Sequence, residues 1–209
     1  MRVFSLFIAI GLISGSASAS AANFSFIGNL NQDDAVQEFN FEVEGAAREV
    51  ALRTWSFGGG TNAEGQVIKN GGVDPVVSLF NSSTGALVSF NDDSGLVIDP
   101  PSGAAYDSFL AMNLSAGNYT ATVTQYNSFP AGSSLADGFT GSAGENFNSR
   151  TSQWAMDVSN VENATVGSTY ISEVPPIPEP DSFAMLLAGL GLLGFMAKRK
   201  KVESRSENF

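Results

Sequence analysis

The chain has 209 residues, with 10 lysines and arginines against 21 aspartates and glutamates, a formal net charge of −11. Such a charge repels nucleic-acid phosphates and anionic lipid headgroups, so we expect neither as a partner. Cysteine and histidine are both absent. Their absence excludes disulfides, Ser-His-Asp and Cys-His catalysis, and zinc sites built from thiolates and imidazoles. Carboxylate chemistry and oxygen-liganded cations such as calcium remain open.

Residues 1–21 contain the three regions of a secretory signal peptide in their usual order. Arg2 supplies a positive charge, residues 3–13 form a short apolar run, and small residues follow as far as Ala21. We predict a signal helix with cleavage after Ala19 or Ala21 by a signal peptidase. A buried N-terminal helix is the alternative, and the order of the three regions disfavours it.

Residues 22–173 are predicted to form one exported domain. They contain 17 acidic residues and four basic ones, a net charge of −13, which suits cations and neutral polymers as ligands. Short segments with period-two alternation are separated by turn residues, and no segment has a sustained helical period. We therefore predict an all-β fold, an antiparallel two-sheet sandwich of the jelly-roll type. The predicted strands are 23–28, 36–43, 50–57, 76–80, 86–90, 108–112, 119–126 and 154–158.

Three stretches are predicted to be loops because they are rich in glycine or proline: 58–72, 100–103 and 130–148. Long loops either carry function or lie on the surface without a ligand. Both interpretations remain open for these three.

Five acidic and amide residues lie next to predicted strands in the middle of the chain. Asn91, Asp92 and Asp93 follow one strand, while Asp74 and Asp107 precede two others. Calcium takes about six to eight oxygen ligands, which carboxylates, amides and backbone carbonyls supply. We predict these five residues as calcium ligands if their strands are neighbours. The alternative is a solvated turn, because Asp and Asn also suit turns for local hydrogen-bonding reasons.

The order of these motifs resembles the bacterial pre-peptidase C-terminal domain. Asp74 and a proline open a strand, Gly85 provides a turn, and Asn91-Asp92-Asp93 follows the next strand. A Leu-Ser-Ala-Gly-Asn-Tyr segment then covers 114–119. The resemblance extends over 74–125 and implies a small jelly-roll β-sandwich of the kind attached to secreted enzymes and surface proteins.

We expect the exported domain not to be an enzyme, although a carboxylate-dependent hydrolase is formally open. Lys69, its only lysine, lies in a glycine-rich loop where little would lower its pKa. The carboxylates fall mainly in turns or at outward strand positions. None lies in an evidently apolar setting that would raise its pKa for acid catalysis. Trp55 and Trp154 could stack on sugars, but a tryptophan more often packs in the core.

Residues 174–201 have the composition of a membrane-inserted signal. A proline-rich entry, which is stiff and extended, precedes an uninterrupted apolar run over 183–197. As a helix this run would reach roughly 22 Å, which is short for a hydrocarbon core of about 30 Å. We predict a short transmembrane helix at 183–197, with the basic residues after it and the tail 202–209 in the cytoplasm.

These elements resemble the PEP-CTERM sorting domain. The residues that carry the resemblance are Pro178, Glu179, Pro180, Lys198, Arg199, Lys200 and Lys201, on either side of the apolar run. The resemblance implies export across the inner membrane of a Gram-negative bacterium and processing by an exosortase near Pro-Glu-Pro. The chain would be anchored in the membrane transiently and end at the cell surface or outside the cell.

The leading functional interpretation is a structural or adhesive protein of the cell surface or matrix, associated with exopolysaccharide. Two other classes remain open, a carbohydrate-binding module and a carboxylate-dependent hydrolase. An exposed aromatic platform in a cleft would favour the first of these. Two facing carboxylates about 5–10 Å apart would favour the second.

Overall fold

The computed structural model describes residues 21–142 and 146–171. Eleven strands occur in that part of the chain, where the helical structure is limited to a 3₁₀ turn at Leu135–Asp137 and one turn at Asn146–Ser149. The prediction of an all-β fold is confirmed. The strands in chain order are β1 (Ala22–Asn29), β2 (Ala35–Val43), β3 (Arg48–Thr54), β4 (Gly60–Thr61), β5 (Val67–Ile68), β6 (Pro75–Asn81), β7 (Leu87–Asn91), β8 (Phe109–Leu114), β9 (Gly117–Gln125), β10 (Gln153–Val161) and β11 (Asn163–Ile171).

All the pairings between these strands are antiparallel. One sheet has the order β1-β10-β3-β8 and the other β11-β2-β9-β6-β7, while β4 and β5 form a small hairpin of their own. Apart from that hairpin, only β6 and β7 are joined within one sheet, and every other connection leads to the opposite sheet. This is the strand order of a jelly roll with β11 added at one edge.

The apolar faces of the two larger sheets meet in the main core. Period-two alternation directs Phe39 and Phe41 of β2 inward, and both are buried. The Phe39 ring lies 5.4 Å from the Phe26 ring of β1 and 5.2 Å from the Trp154 ring of β10, centroid to centroid. Each such side chain contributes about 1.5–3 kcal/mol by leaving water. These contacts hold the two sheets against each other.

Residues 130–142 of the predicted loop 130–148 cover a sheet rather than extending freely. Phe139 packs on Phe80 and Val36, which project from the outer face of the five-stranded sheet. A backbone bridge between Pro130 and Phe139 holds the segment in place. A second, smaller apolar cluster therefore lies outside the sandwich.

Strand β11 is absent from the sequence-based prediction. Gly167 interrupts its alternation, and the register with β2 shifts between Val166 and Thr169. A Cβ atom at Gly167 would lie 2.8 Å from the side-chain nitrogen of Asn40. The glycine permits a bulge and the close approach of the two strands, at the cost of the period-two signal.

Two predicted helices fall outside the described residues: the signal helix, apart from Ala21, and the membrane helix at 183–197. Within 21–142 and 146–171, no helix has the length and apolar composition that crossing a bilayer requires.

Candidate functional site

Three strand ends of one sheet meet at what we call the acidic end of the sandwich. Asp74 immediately precedes β6, Asp92 and Asp93 follow β7, and Tyr126 follows β9. Antiparallel pairing brings them together, because the register places Val77 opposite Asn91 and Pro75 opposite Gln125. Strand β8 of the other sheet begins at the same end, and the hydroxyl oxygen of Ser108 lies within 2.8 Å of the carbonyl oxygens of Pro75, Asn91 and Asp92.

Asp74, Asp92 and Asp93 form an acidic cluster at this end. One carboxylate oxygen of each lies within 4.8 Å of the others. Asp74 and Asp92 are half-buried, and Asp93 is exposed. Together with Tyr106 and Tyr126 they line a cavity of about 230 Å³ that is open to solvent. Three carboxylates at this spacing repel one another unless protons or a cation neutralise them.

Burial and mutual repulsion perturb the acidic cluster. Burial raises the pKa of Asp74 to about 7, and the charges of Asp92 and Asp93 act in the same direction, while Arg150 opposes them. Burial, with a contribution from Asp93, raises the pKa of Asp92 to about 6. Burial also raises the pKa of Asp93. The premise that no carboxylate of this domain has an environment that raises its pKa is therefore wrong, because Asp74 has one.

The acidic cluster has unused acceptor capacity. Within the described part of the chain, Oδ1 of Asp74 and Oδ1 of Asp92 are buried and have no hydrogen-bond partner. Buried carboxylate oxygens are normally satisfied by donors or by a cation. The side chain of Gln125 accepts from the Asp74 backbone N–H at 3.2 Å and so does not satisfy the Asp74 carboxylate.

The carboxylate of Asp107, a predicted calcium ligand, accepts hydrogen bonds from the protein. Its Oδ1 accepts from the Thr54 hydroxyl and from the backbone N–H groups of Ser56 and Phe57, at 2.6–3.2 Å. Its Oδ2 accepts from the backbone N–H of Gly58 at 2.7 Å. The side chain therefore satisfies the backbone N–H groups of the turn after β3. This explains why that strand ends at Thr54 rather than at 57 as predicted.

Asn91, also a predicted ligand, holds the acidic end together. Its Oδ1 accepts from the backbone N–H of Phe109 at 2.9 Å, and its Nδ2 donates to the Asp93 carbonyl at 3.3 Å. The structure thus brings together three of the five predicted ligands. The other two, Asn91 and Asp107, have their side-chain oxygens engaged by donors of the protein.

Tyr106 and Tyr126 were missed by the sequence analysis, which considered the two tryptophans instead. Trp154 is buried in the main core. Trp55 donates its ring N–H to Asp157 at 2.7 Å and is covered by the Arg53 guanidinium at 3.9 Å. Trp154 is therefore enclosed in the core, and one face of the Trp55 ring is covered. Tyr126, in contrast, continues the alternation of β9 beyond its last paired residue, which is a weak signal of its outward position.

Tyr106 is held in place by a chain of contacts. Its ring lies 4.9 Å from that of Phe57, centroid to centroid. The Arg150 guanidinium lies 3.5 Å from the centroid of the Phe57 ring and donates to the Phe57 carbonyl. It also forms an ion pair with buried Asp99. These contacts join three loops behind the cavity, so its wall is preorganised.

Residues 176–200 match the PEP-CTERM protein-sorting motif. The motif predicted from the Pro-Glu-Pro triplet, the apolar run and the basic cluster is therefore confirmed. It implies an exported protein that an exosortase of a Gram-negative bacterium recognises.

No curated protein matches the chain. Among solved structures, the chain is similar to the pre-peptidase C-terminal domain of a collagenase from Bacillus anthracis. The two are 12% identical, the similarity covers 69% of this chain and 90% of that one, and the TM-score is 0.36. That structure is a domain of the family that the motifs of 74–125 resemble.

Proposed function

We propose that the protein is a structural or adhesive component of the cell surface or extracellular matrix, associated with exopolysaccharide. The sorting motif at 176–200 carries this proposal, because it implies export. The preceding domain supports it. The domain is a β-sandwich with a net charge of −13, a charge that disfavours nucleic acid and anionic lipid as partners and is compatible with a neutral polymer.

Processing at both ends is the first expected outcome. The mature chain should begin near Ser20 or Ala22 and end near Pro178-Glu179-Pro180, since both terminal signals are removed after export. Fractionation of the producing bacterium, with mass spectrometry of both termini, measures this. Exported protein that still carries Lys198–Lys201 would contradict removal of the tail.

We propose in addition that the acidic cluster binds calcium. The specific observation that favours this is the approach of three carboxylates within 4.8 Å, with two buried oxygens that have no donor. Calcium prefers carboxylate oxygens and tolerates irregular geometry and water ligands. Asp74, Asp92 and Asp93 would supply protein ligands, and water in the open cavity would supply others. Asn91 and Asp107 support the loops and are not included.

Hydrolase activity is not expected, although Asp74 has the raised pKa of a general acid. One oxygen of each of the three carboxylates lies within 4.8 Å of the others. Such crowding suits a shared cation better than an acid and a nucleophile with separate roles.

Polysaccharides and peptides incubated with the exported protein should therefore show no turnover. Product release would be followed by chromatography, with Asp74→Asn as the matched variant. Hydrolysis by the wild type that Asp74→Asn abolishes, in a variant that is still folded by its melting curve, would move the protein into the hydrolase class.

A further inference from the structure

Three aromatic side chains form a strip that leads away from the cavity. Phe129 lies between Phe90 and Tyr126, with ring centroids 6.1 Å from the first and 6.0 Å from the second, and both contacts are edge-to-face. Phe90 is 48% exposed and Tyr126 42%. We call Phe90, Phe129 and Tyr126 the aromatic strip. Phe129 between them is half-buried, so the three rings form a contiguous apolar surface, and such surfaces often mark interaction sites.

The backbone that carries the strip is held by hydrogen bonds and strands. The backbone N–H of Phe129 donates to the Thr140 hydroxyl at 3.0 Å, and the Thr140 N–H donates to the Phe129 carbonyl at 2.8 Å. Phe90 belongs to β7, and Tyr126 directly follows β9. Aromatic rings on an ordered backbone lose less conformational entropy on binding than rings on a mobile loop, which favours affinity.

The strip and the cavity are continuous. Tyr126 belongs to both, and Tyr106, 42% exposed, also lines the cavity. A ligand on the path from the aromatic strip into the cavity would contact aromatic rings and the exposed carboxylate of Asp93. The path therefore offers apolar ring faces together with strong hydrogen-bond acceptors.

We infer that the aromatic strip and the adjoining cavity bind a neutral, hydroxyl-rich polysaccharide. This inference rests on the proposed association with exopolysaccharide and names the surface and the ligand chemistry. Pyranose rings of the polymer stack their apolar faces on Phe90 and on Tyr126, and their hydroxyl groups donate to the carboxylate oxygens that calcium leaves free. The net charge of −13 selects against anionic polymers. An apolar peptide or lipid would leave the acidic side of the path without donors.

Affinity electrophoresis of the purified exported protein tests the inference. The gels contain dextran, hydroxyethyl cellulose or alginate, so that two neutral polymers are compared with an anionic one. We expect retardation in at least one neutral polymer and none in alginate. Unretarded migration in both neutral polymers, or retardation in alginate alone, would overturn the inference.

Substitutions locate the surface. Tyr126→Ala should weaken binding about tenfold, as expected for an aromatic anchor, whereas Tyr126→Phe should retain it because stacking remains. Phe90→Ala should also weaken binding. Val166→Ala is the matched control: Val166 is 50% exposed and lies on β11, at the opposite edge of the same sheet. Melting temperatures verify that each variant is folded. Equal retardation of Tyr126→Ala and wild type would contradict the inference.

The export proposal is tested separately by fractionation and mass spectrometry. If the protein is exported and processed but not retarded, the proposed localisation is supported and the polysaccharide inference is contradicted. If it is retarded but not exported, the inference is supported and the proposed localisation is contradicted.

Discussion

Replacement of Asp107 by asparagine is expected to lower the free energy of unfolding by about 3 kcal/mol. Asp107 is 1% exposed and accepts four hydrogen bonds, three of them from consecutive backbone N–H groups. An asparagine has one acceptor oxygen, so its amide N–H₂ would face at least one of these donors. The other hydrogen bonds would lose the assistance of the negative charge.

Thermal or denaturant unfolding measures this effect. A loss of about 3 kcal/mol corresponds to a fall in melting temperature of roughly 6–12 °C for a domain of this size. Glu49→Gln is the matched control, because it also converts a carboxylate to an amide, at an exposed side chain of β3 outside the acidic cluster. Equal stability of Asp107→Asn and wild type would show that the turn after β3 does not depend on this carboxylate.

Calcium is expected to raise the melting temperature at pH 8 by about 5–10 °C when its concentration is near a hundredfold above the dissociation constant. Mass action then stabilises the folded state by about 2.7 kcal/mol. Without calcium, the stability of the protein should fall as the pH rises. The pKa of Asp74 is raised to about 7 and that of Asp92 to about 6. Both carboxylates are therefore easier to protonate in the folded state.

The direction of the pH effect follows from proton linkage. A carboxyl whose folded-state pKa is raised binds more protons folded than unfolded, so stability falls as pH rises from about 4 to 7. In a chelator, the melting temperature should therefore be higher at pH 5 than at pH 8 as far as these groups are concerned. Added calcium should remove most of this difference, because a bound cation replaces the protons.

Two substitutions separate a calcium site from a solvated acidic turn. Asp74→Asn and Asp93→Asn should each raise the melting temperature in chelator at pH 8, since each removes repulsion. Each should also abolish the response to calcium. Identical melting curves with calcium and with chelator would contradict the site and favour the solvated turn.

The strands could be predicted wherever their signal is local. The alternation of Phe39, Phe41 and Val43 identified β2, and similar patterns identified most other strands of the sandwich. Strand β11 was not predicted, because its register with β2 shifts around Gly167 and its alternation is interrupted there. The segment 130–148 was expected to be a loop, and nothing local indicates that Phe139 covers Phe80.

The candidate site could be predicted only in part. Asp74, Asp92 and Asp93 were identified by residue type and by their positions at strand ends, and the fold brings them together. Asp107 and Asn91 have the same residue types and similar positions, yet their oxygens bind backbone donors. Residue type alone does not distinguish a free carboxylate from one that satisfies a turn.

The sequence by itself determined the all-β class, the sorting motif at 176–200 and the exclusion of imidazole and thiol chemistry. Each of these depends on local periodicity or on which residues are present. The tertiary structure decided which carboxylates cluster, that burial raises the pKa of Asp74, and that Tyr106 and Tyr126 line one cavity. These properties arise where the ends of distant strands meet, because burial and repulsion depend on neighbours in space rather than along the chain.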